Sequence, residues 1–354
     1  MQIGALRSPR CAAYNGGMKA YVYQDRIALD ALTVVERPEP VLGPLDIALK
    51  MRAVSLNYRD LAIARGGYHA SVAPPLVPLS DGAGEVVAIG PQVTRFRVGD
   101  LACPTYLPGW IDGPLQASYA RGGRGGPADG VFAELVCVDE QAAVRAPSHL
   151  DAVEACTLPV AAVTAWQVLY QTCAVRPGET VLVLGSGGVS IAALQLARAG
   201  GARVIVVTRT GRHEARLRAL GASDVIALGD TPDWPGQVRA RTDGRGVDVA
   251  IDVVGGASLS RTIAATRLGA HVHVVGYVGA TSSTLDIFEA IRHGATIHAA
   301  TAGSRTSFEA MNRALELHAV RPVVDRVVPV ARWADAFAQL GAGGQLGKIV
   351  IELT

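Results

Sequence analysis

The run VLVLGSGGVS, residues 181–190, sets an apolar strand directly before a glycine-rich turn and an apolar helix that continues to about Ala199. Few folds accommodate that order, because the strand needs cover on both faces and the turn must send the helix straight back along the sheet. Gly185 permits the tight turn, and Gly187 lets a pyrophosphate approach the backbone. Gly188 and Val189 open the helix, whose first amides and positive dipole end suit an anion. The third small position of the fingerprint is Ser190 rather than glycine, still compact enough for close helix–strand packing. The segment lies in a βαβ unit of about 30 residues, the context that separates a dinucleotide site from a glycine turn serving packing alone.

The end of the next strand selects the dinucleotide. NAD sites usually place an acid there for the ribose 2′-hydroxyl. This chain has Thr208-Arg209-Thr210-Gly211-Arg212 and no acid before Glu214. The hydroxyl of Thr208 and the guanidinium groups of Arg209 and Arg212 suit a 2′-phosphate, which favours NADPH over NADH. The competing reading makes both arginines ordinary solvated residues of a turn.

Apolar runs recur at 181–184, 204–208, 225–228, 247–254, 271–277 and 296–301 with helical segments between them. This predicts an α/β unit over 158–302, a Rossmann doubly wound parallel six-stranded sheet. Residues 18–157 instead show short strand-like runs (46–54, 84–89, 132–138) between Gly/Pro turns, with a long Gly-rich lobe from Tyr106 to Gly130. The tail, 303–354, carries a helical pattern over 307–317 and a closing strand over 348–353. Residues 1–17 read as a flexible N-terminal extension without a signal-peptide core.

Charged residues make up 18% of the chain and the formal net charge is +2, which argues against a dedicated nucleic-acid binder. No apolar stretch reaches the roughly 18–20 residues of a membrane span. The five cysteines, Cys11, Cys103, Cys137, Cys156 and Cys173, are odd in number and contain no CxxC pair. They support neither a disulfide framework nor a zinc knuckle, and they suit a reducing cytoplasm. His271 and His273 lie two apart on one strand with no third ligand nearby in sequence.

The ordered set SLNYRDL (55–61), PLSDGAGEVVAIG (79–90), RFRVGD (95–100), LPVAAVTAW (158–166), GSGGVS (185–190), GRGVDVAIDVVG (244–255) and GKIVIEL (347–353) resembles the medium-chain dehydrogenase/reductases. The resemblance is to the branch of zinc-free quinone oxidoreductases and alcohol-dehydrogenase-like proteins. It implies a mostly-β GroES-like catalytic domain from 18–157 and 303–354, a cofactor cleft against the Rossmann domain, and a homodimer. The positions that hold catalytic zinc in zinc-dependent members are Asn57, Asp81 and Val160 here. Valine offers no donor and asparagine a poor one, so the expectation is a metal-free protein in which Asp60 and Asp81 are hydrogen-bonded loop residues.

Without a Lewis acid, oxidising an unactivated alcohol is difficult, whereas hydride addition to a conjugated acceptor needs positioning and hydrogen bonds to an enolate oxygen. The resemblance points the same way, to quinones, enones or enoyl thioesters as electrophilic substrates. Tyr68, in RGGY after the NxxD segment, is the candidate donor or proton source; the alternative is a cleft-lining aromatic. Asn57 would orient the substrate or nicotinamide ribose, or shape a turn. Tyr58 faces the other way if the segment is extended, and His69 reads as a solvated loop residue. The resemblance places Thr164 near the ribose or nicotinamide. Val254, Gly255, Gly276, Tyr277 and Val278 would line the cofactor, with Gly303 and Ser304 as further candidates. Trp110 would cover the substrate mouth or anchor its own loop. The expected function is an NADPH-dependent reductase of an activated C=C bond or a quinone. A zinc-independent alcohol or aldehyde dehydrogenase and a catalytically silent dinucleotide sensor are the alternatives.

Overall fold

The computed structural model describes residues 17–68, 71–120, 122–229 and 233–353. Cys11, His69 and the expected extension before Gly17 lie outside the described residues. Alternation of apolar and polar residues pairs β1 (Gly17–Tyr23) with β2 (Leu32–Pro38) as an antiparallel ribbon. The strands β3 (Asp46–Ser55), β4 (Asp81–Ile89), β5 (Leu101–Pro104), β6 (Leu135–Asp139) and β7 (Ala143–Arg145) follow.

The chain then builds β8 (Thr180–Leu184), β9 (Arg203–Thr208), β10 (Asp224–Ala227), β11 (Val247–Asp252), β12 (Thr266–Val274) and β13 (Thr296–Ala299). These form one parallel sheet in the order β10-β9-β8-β11-β12-β13. Every residue of β8 and β11 is buried, as continuous apolar strands covered on both faces should be. The order reverses between β8 and β11, and ligands of open α/β sheets bind at the carboxyl ends beside that reversal.

The tail holds more structure than its sequence pattern discloses. The helix Arg305–Leu317 leads to β14 (Val324–Pro329), a second helix, Trp333–Ala342, and β15 (Lys348–Glu352). These last strands join the first half in a sheet ordered β14-β15-β3-β4-β5-β7, with β6 also on β3. Val350 and Ile351 of β15 lie opposite Ser55 and Val54 of β3. Just before β15, the Gly347 amide donates to the Ser186 carbonyl at 2.8 Å, so the last strand starts on the glycine loop and ends inside the other sheet.

The two sheets share a continuous core. Ala53, Ala83 and Cys103 from the mixed sheet pack in the same apolar cluster as Val181 and Val183 from the parallel one and Ile191 from the helix Gly188–Ala199. A separate cluster with Leu182, Ile205 and Trp234 covers the far face of the parallel sheet. The lobe after Tyr106 is tied down rather than free. Buried Trp110 donates its indole N–H to the Gly113 carbonyl at 2.8 Å, and its own carbonyl accepts from the Arg305 amide, so this tryptophan anchors the loop. Among the described residues, no helix is long and apolar enough to cross a membrane.

Candidate active site

The segment after β3 turns helical at once. The Asp60 carboxylate accepts the Asn57 amide at 2.7 Å and starts the helix Tyr58–Ala64. This corrects the extended reading of the segment. Tyr58 opens the helix, and its ring meets that of Tyr277 edge-on at 5.7 Å instead of pointing away.

The same helix buries Arg59, whose guanidinium donates to the carbonyls of Arg124 (2.9 Å) and Gly126 (2.7 Å) and pairs with Asp60 at 3.4 Å. It lies within 5.0 Å of the Tyr68 and Tyr106 ring centroids. The Tyr68 hydroxyl accepts from Arg59 Nε at 3.4 Å and stands 3.3 Å from the Tyr106 hydroxyl. Burial pushes the Asp60 carboxyl up to about 6, with Arg59 opposing it, and holds the Tyr106 phenol well above its usual range. Burial, then the nearby Tyr68, pushes Tyr277 up to about 12. The Tyr277 hydroxyl is buried without a hydrogen-bond partner among the described residues, a donor left over for a bound molecule. Tyr68 and Tyr106 thus gather around one buried cation, and Tyr277 stands near enough to feel the charge of both Tyr68 and Arg59.

The centre of the cleft holds a residue that the sequence reading did not single out. Lys348, the first residue of β15, sends its ammonium to the Asn57 amide oxygen at 2.6 Å, the Leu56 carbonyl at 2.8 Å and the Asp81 carboxylate at 3.2 Å. The lysine and the aspartate are almost completely buried. Asp81 also accepts from the hydroxyls of Ser80 (3.2 Å) and Ser55 (3.5 Å). Asn57 and Asp81 are two of the positions where the resemblance puts zinc ligands, and both already serve an ammonium ion. The third, Val160, brings no donor. This set does not fit a catalytic zinc.

The cofactor loop takes the expected shape. Gly185 has φ +82°, Gly187 precedes the helix Gly188–Ala199, and no side chain caps that helix. A Cβ on Gly187 would meet nothing within 4 Å, so its face is open to a ligand. A Cβ on Gly188 would come within 2.6 Å of the Lys348 stem, so this glycine makes room for the lysine. Ser190 is buried and donates to the Leu184 carbonyl at 2.6 Å, locking helix to strand. These residues fit a dinucleotide pyrophosphate.

Around the loop, Thr164 is buried in the helical stretch 158–172. Val254 and Gly255 follow β11, where fully buried Asp252 accepts both of their amides, at 2.8 and 2.9 Å. The Gly279 amide donates to the Val254 carbonyl, and a Cβ on Gly276 would lie 2.2 Å from the Val253 carbonyl oxygen. The turn carrying Gly276, Tyr277 and exposed Val278 is therefore clamped to the turn after β11.

At the end of β9, the Thr208 hydroxyl donates to the Thr210 carbonyl at 2.9 Å. Arg209 and Arg212 are exposed and enter no ion pair among the described residues. Gly303 and Ser304 serve the fold directly. A Cβ on Gly303 would come 2.7 Å from Val163 Cγ1, and the Ser304 hydroxyl caps the helix Arg305–Leu317 by accepting the Ser307 amide at 3.1 Å.

Removing the ammonium strands a buried carboxylate. Lys348→Met should lower stability by about 3–5 kcal/mol, and Asp81→Asn in the same chain should recover part of that loss. Urea unfolding of the two single variants and the double variant measures the coupling. Additive losses would show that the pair is not the seat of the effect.

A family model described as the alcohol dehydrogenase GroES-like domain matches residues 43–148, and one described as zinc-binding dehydrogenase matches 188–317. A zinc-type alcohol dehydrogenase-like protein of Schizosaccharomyces pombe is 34% identical over 341 residues, which is 94% of this chain and 99% of the relative. A Sinorhizobium meliloti 1021 structure assigned by name to the alcohol dehydrogenases is 35% identical, with TM-score 0.90, covering 96% of this chain and 100% of that one. A structure named as an NAD-dependent alcohol dehydrogenase is 30% identical, with TM-score 0.85, covering 95% of this chain and 100% of its own. A GroES-like sheet, a Rossmann-type sheet and full-length similarity of this degree make the chain a member of the medium-chain dehydrogenase/reductase superfamily, in its zinc-type alcohol dehydrogenase-like oxidoreductase family, whose members bind NAD(P).

Proposed function

We propose that this chain is an NADPH-dependent reductase that delivers hydride to an activated C=C bond or a quinone without a metal in the cleft. The observation that carries the reading is the Lys348 ammonium seated between Asn57 and Asp81, where metal-dependent relatives would need ligand atoms free. Reduced nicotinamide, when bound, supplies the hydride. The protein's own part is to hold the acceptor beside it and to support the negative charge that forms on the acceptor's oxygen. Tyr68 is the group to do so. Its hydroxyl is held by Arg59 and Tyr106, and a phenol hydroxyl can donate a hydrogen bond or a proton to an enolate oxygen. Asn57 is tied to Lys348 and the Ser80 hydroxyl, so it acts by positioning Lys348 and the cleft wall. NADPH preference rests on the exposed arginines at the turn after β9 and the missing acid there. The rival reading, a zinc-independent alcohol or aldehyde dehydrogenase, would use the same cleft in the opposite direction.

We also infer a homodimer. Leu268, Ile287, Phe288 and Ile291 are mostly exposed (62–79%), beside the sheet edge formed by β13. Large apolar side chains gathered at an edge mark a surface that a second copy would cover. Phe288→Glu should shift the chain toward monomer in analytical ultracentrifugation, and an unchanged sedimentation coefficient would reject this face.

The cofactor assignment is tested by fluorescence titration of chelator-treated protein with NADPH and NADH. NADPH should bind more tightly, and Arg212→Ala should weaken it about tenfold, the loss expected for one charge-assisted contact, while NADH affinity stays the same. Equal affinities would make the arginines bystanders. With an enone or quinone acceptor, Tyr68→Phe should lower turnover by about 10²–10⁴-fold at constant NADPH affinity. Unchanged turnover would remove Tyr68 from the chemistry. Oxidation of alcohols without reduction of any conjugated acceptor would favour the rival enzyme.

A further inference from the structure

Sequence spacing leaves His271 and His273 without a third ligand; the fold supplies two more residues. The histidines are two apart on β12, so both face the same side of the sheet. On the neighbouring strand β13, His298 stands in register with His273, and the two rings stack with centroids 4.7 Å apart and planes 13° apart. Cys173, at the end of the helical stretch 158–172, reaches the same spot, its sulfur 2.8 Å from His273 Nε2. His271 Nδ1 and His298 Nε2 are 2.9 Å apart. Donor atoms of Cys173, His271 and His298 all lie within 4.8 Å of one another. His273 is buried and the other three are half-buried, so the cluster can be reached from solvent.

We propose that Cys173, His271 and His298 form a binding site for a zinc-class divalent cation, with the fourth position taken by water and His273 packed behind as a hydrogen-bonding neighbour. One thiolate and two imidazoles are the soft-to-borderline donors that zinc takes and that calcium or magnesium avoids. Zinc–sulfur bonds of about 2.3 Å and zinc–nitrogen bonds of about 2.0–2.1 Å set donor atoms roughly 3.3–3.6 Å apart in a tetrahedron. Donor atoms of Cys173, His271 and His298 already lie within 4.8 Å of one another, so rotamer adjustment would draw them to that spacing around an ion. Burial pushes the Cys173 thiol up to about 12, so without a cation the sulfur keeps its proton and the cluster is a hydrogen-bonded set. Uptake replaces that proton with the metal and releases it to solvent. The ligands come from β12, the edge strand β13 and the helical stretch that covers them, so a bound ion would fasten the edge of the sheet to its covering layer. This site shares no residue with the cleft and does not rest on the proposed reaction.

The test is a cobalt titration of the reduced, chelator-stripped full chain, with zinc stoichiometry measured by mass spectrometry. One equivalent of Co²⁺ should bind saturably and give a thiolate-to-cobalt charge-transfer band with the strong visible bands of tetrahedral cobalt. Cys173→Ser should abolish the charge-transfer band, and His298→Ala should weaken binding at least about tenfold, while NADPH titration shows the same dinucleotide affinity in both variants. No saturable uptake, or the same band in Cys173→Ser, would overturn the site. If either variant unfolds, the wild-type chain decides the question. Zinc should protect Cys173 from alkylation, mapped by peptide mass spectrometry, and an unprotected thiol at saturating zinc would reject the proposal.

Discussion

One buried ammonium organises the centre of this molecule. Lys348 joins the Leu56 carbonyl, the Asn57 side chain and the Asp81 carboxylate, three groups at the ends of β3 and β4, to the strand that comes off the glycine loop. Taking a lysine and an aspartate out of water together is expensive unless each remaining donor and acceptor is satisfied. Here the lysine's three protons have three acceptors, and Asp81 also receives two serine hydroxyls. The stem of the lysine passes where a side chain on residue 188 would stand, so one of the loop glycines serves the ion pair as much as the cofactor. Cofactor loop, cleft floor and sheet closure therefore depend on the same contact.

A second polar device shapes the rim. Fully buried Asp252, at the end of β11, gathers the amides of Val254 and Gly255 and the hydroxyls of Ser258 and Thr262. A carboxylate that folds its own turn around itself keeps the carboxyl edge rigid without filling the space above it. The turn after β12 is held against it by main-chain bonds, and Tyr277 is thereby offered to the cleft from fixed backbone. Across from it, Arg59, on the short helix after β3, keeps Tyr68 and Tyr106 together. The cleft is thus lined by phenols that rigid elements present from both sides.

What the sequence discloses here follows the range of each interaction. The glycine loop and the six parallel strands are legible because turn geometry and apolar runs are local requirements. The resemblance adds the second sheet and the return of the tail. Tyr58 is misjudged by an extended reading, although Asn57 and Asp60 three residues apart carry a helix-start signal that would have turned it toward the cleft. Lys348 is different in kind. In KIVIEL it reads as the polar start of an alternating strand, and nothing nearby says that its partners lie on β3 and β4. His298 and Cys173 are hidden for the same reason, since only the strand order brings them to His271 and His273. The helix Trp333–Ala342 and β14 escape notice although both carry apolar residues, and much of their surface is exposed.

The lysine's reach along the chain has a kinetic consequence. Its bond to the Leu56 carbonyl spans 292 residues, so that contact belongs to the slow, non-local part of folding. The parallel sheet can assemble from neighbouring βαβ units while the floor of the cleft is still open. Without Lys348 in place, Asp81 lacks the ammonium partner that offsets its burial. With β15 in place, its lysine pairs with the carboxylate and the lysine stem occupies the space beside residue 188. The floor of the cleft therefore depends on a contact between the two ends of the chain, and a chain without β15 lacks it.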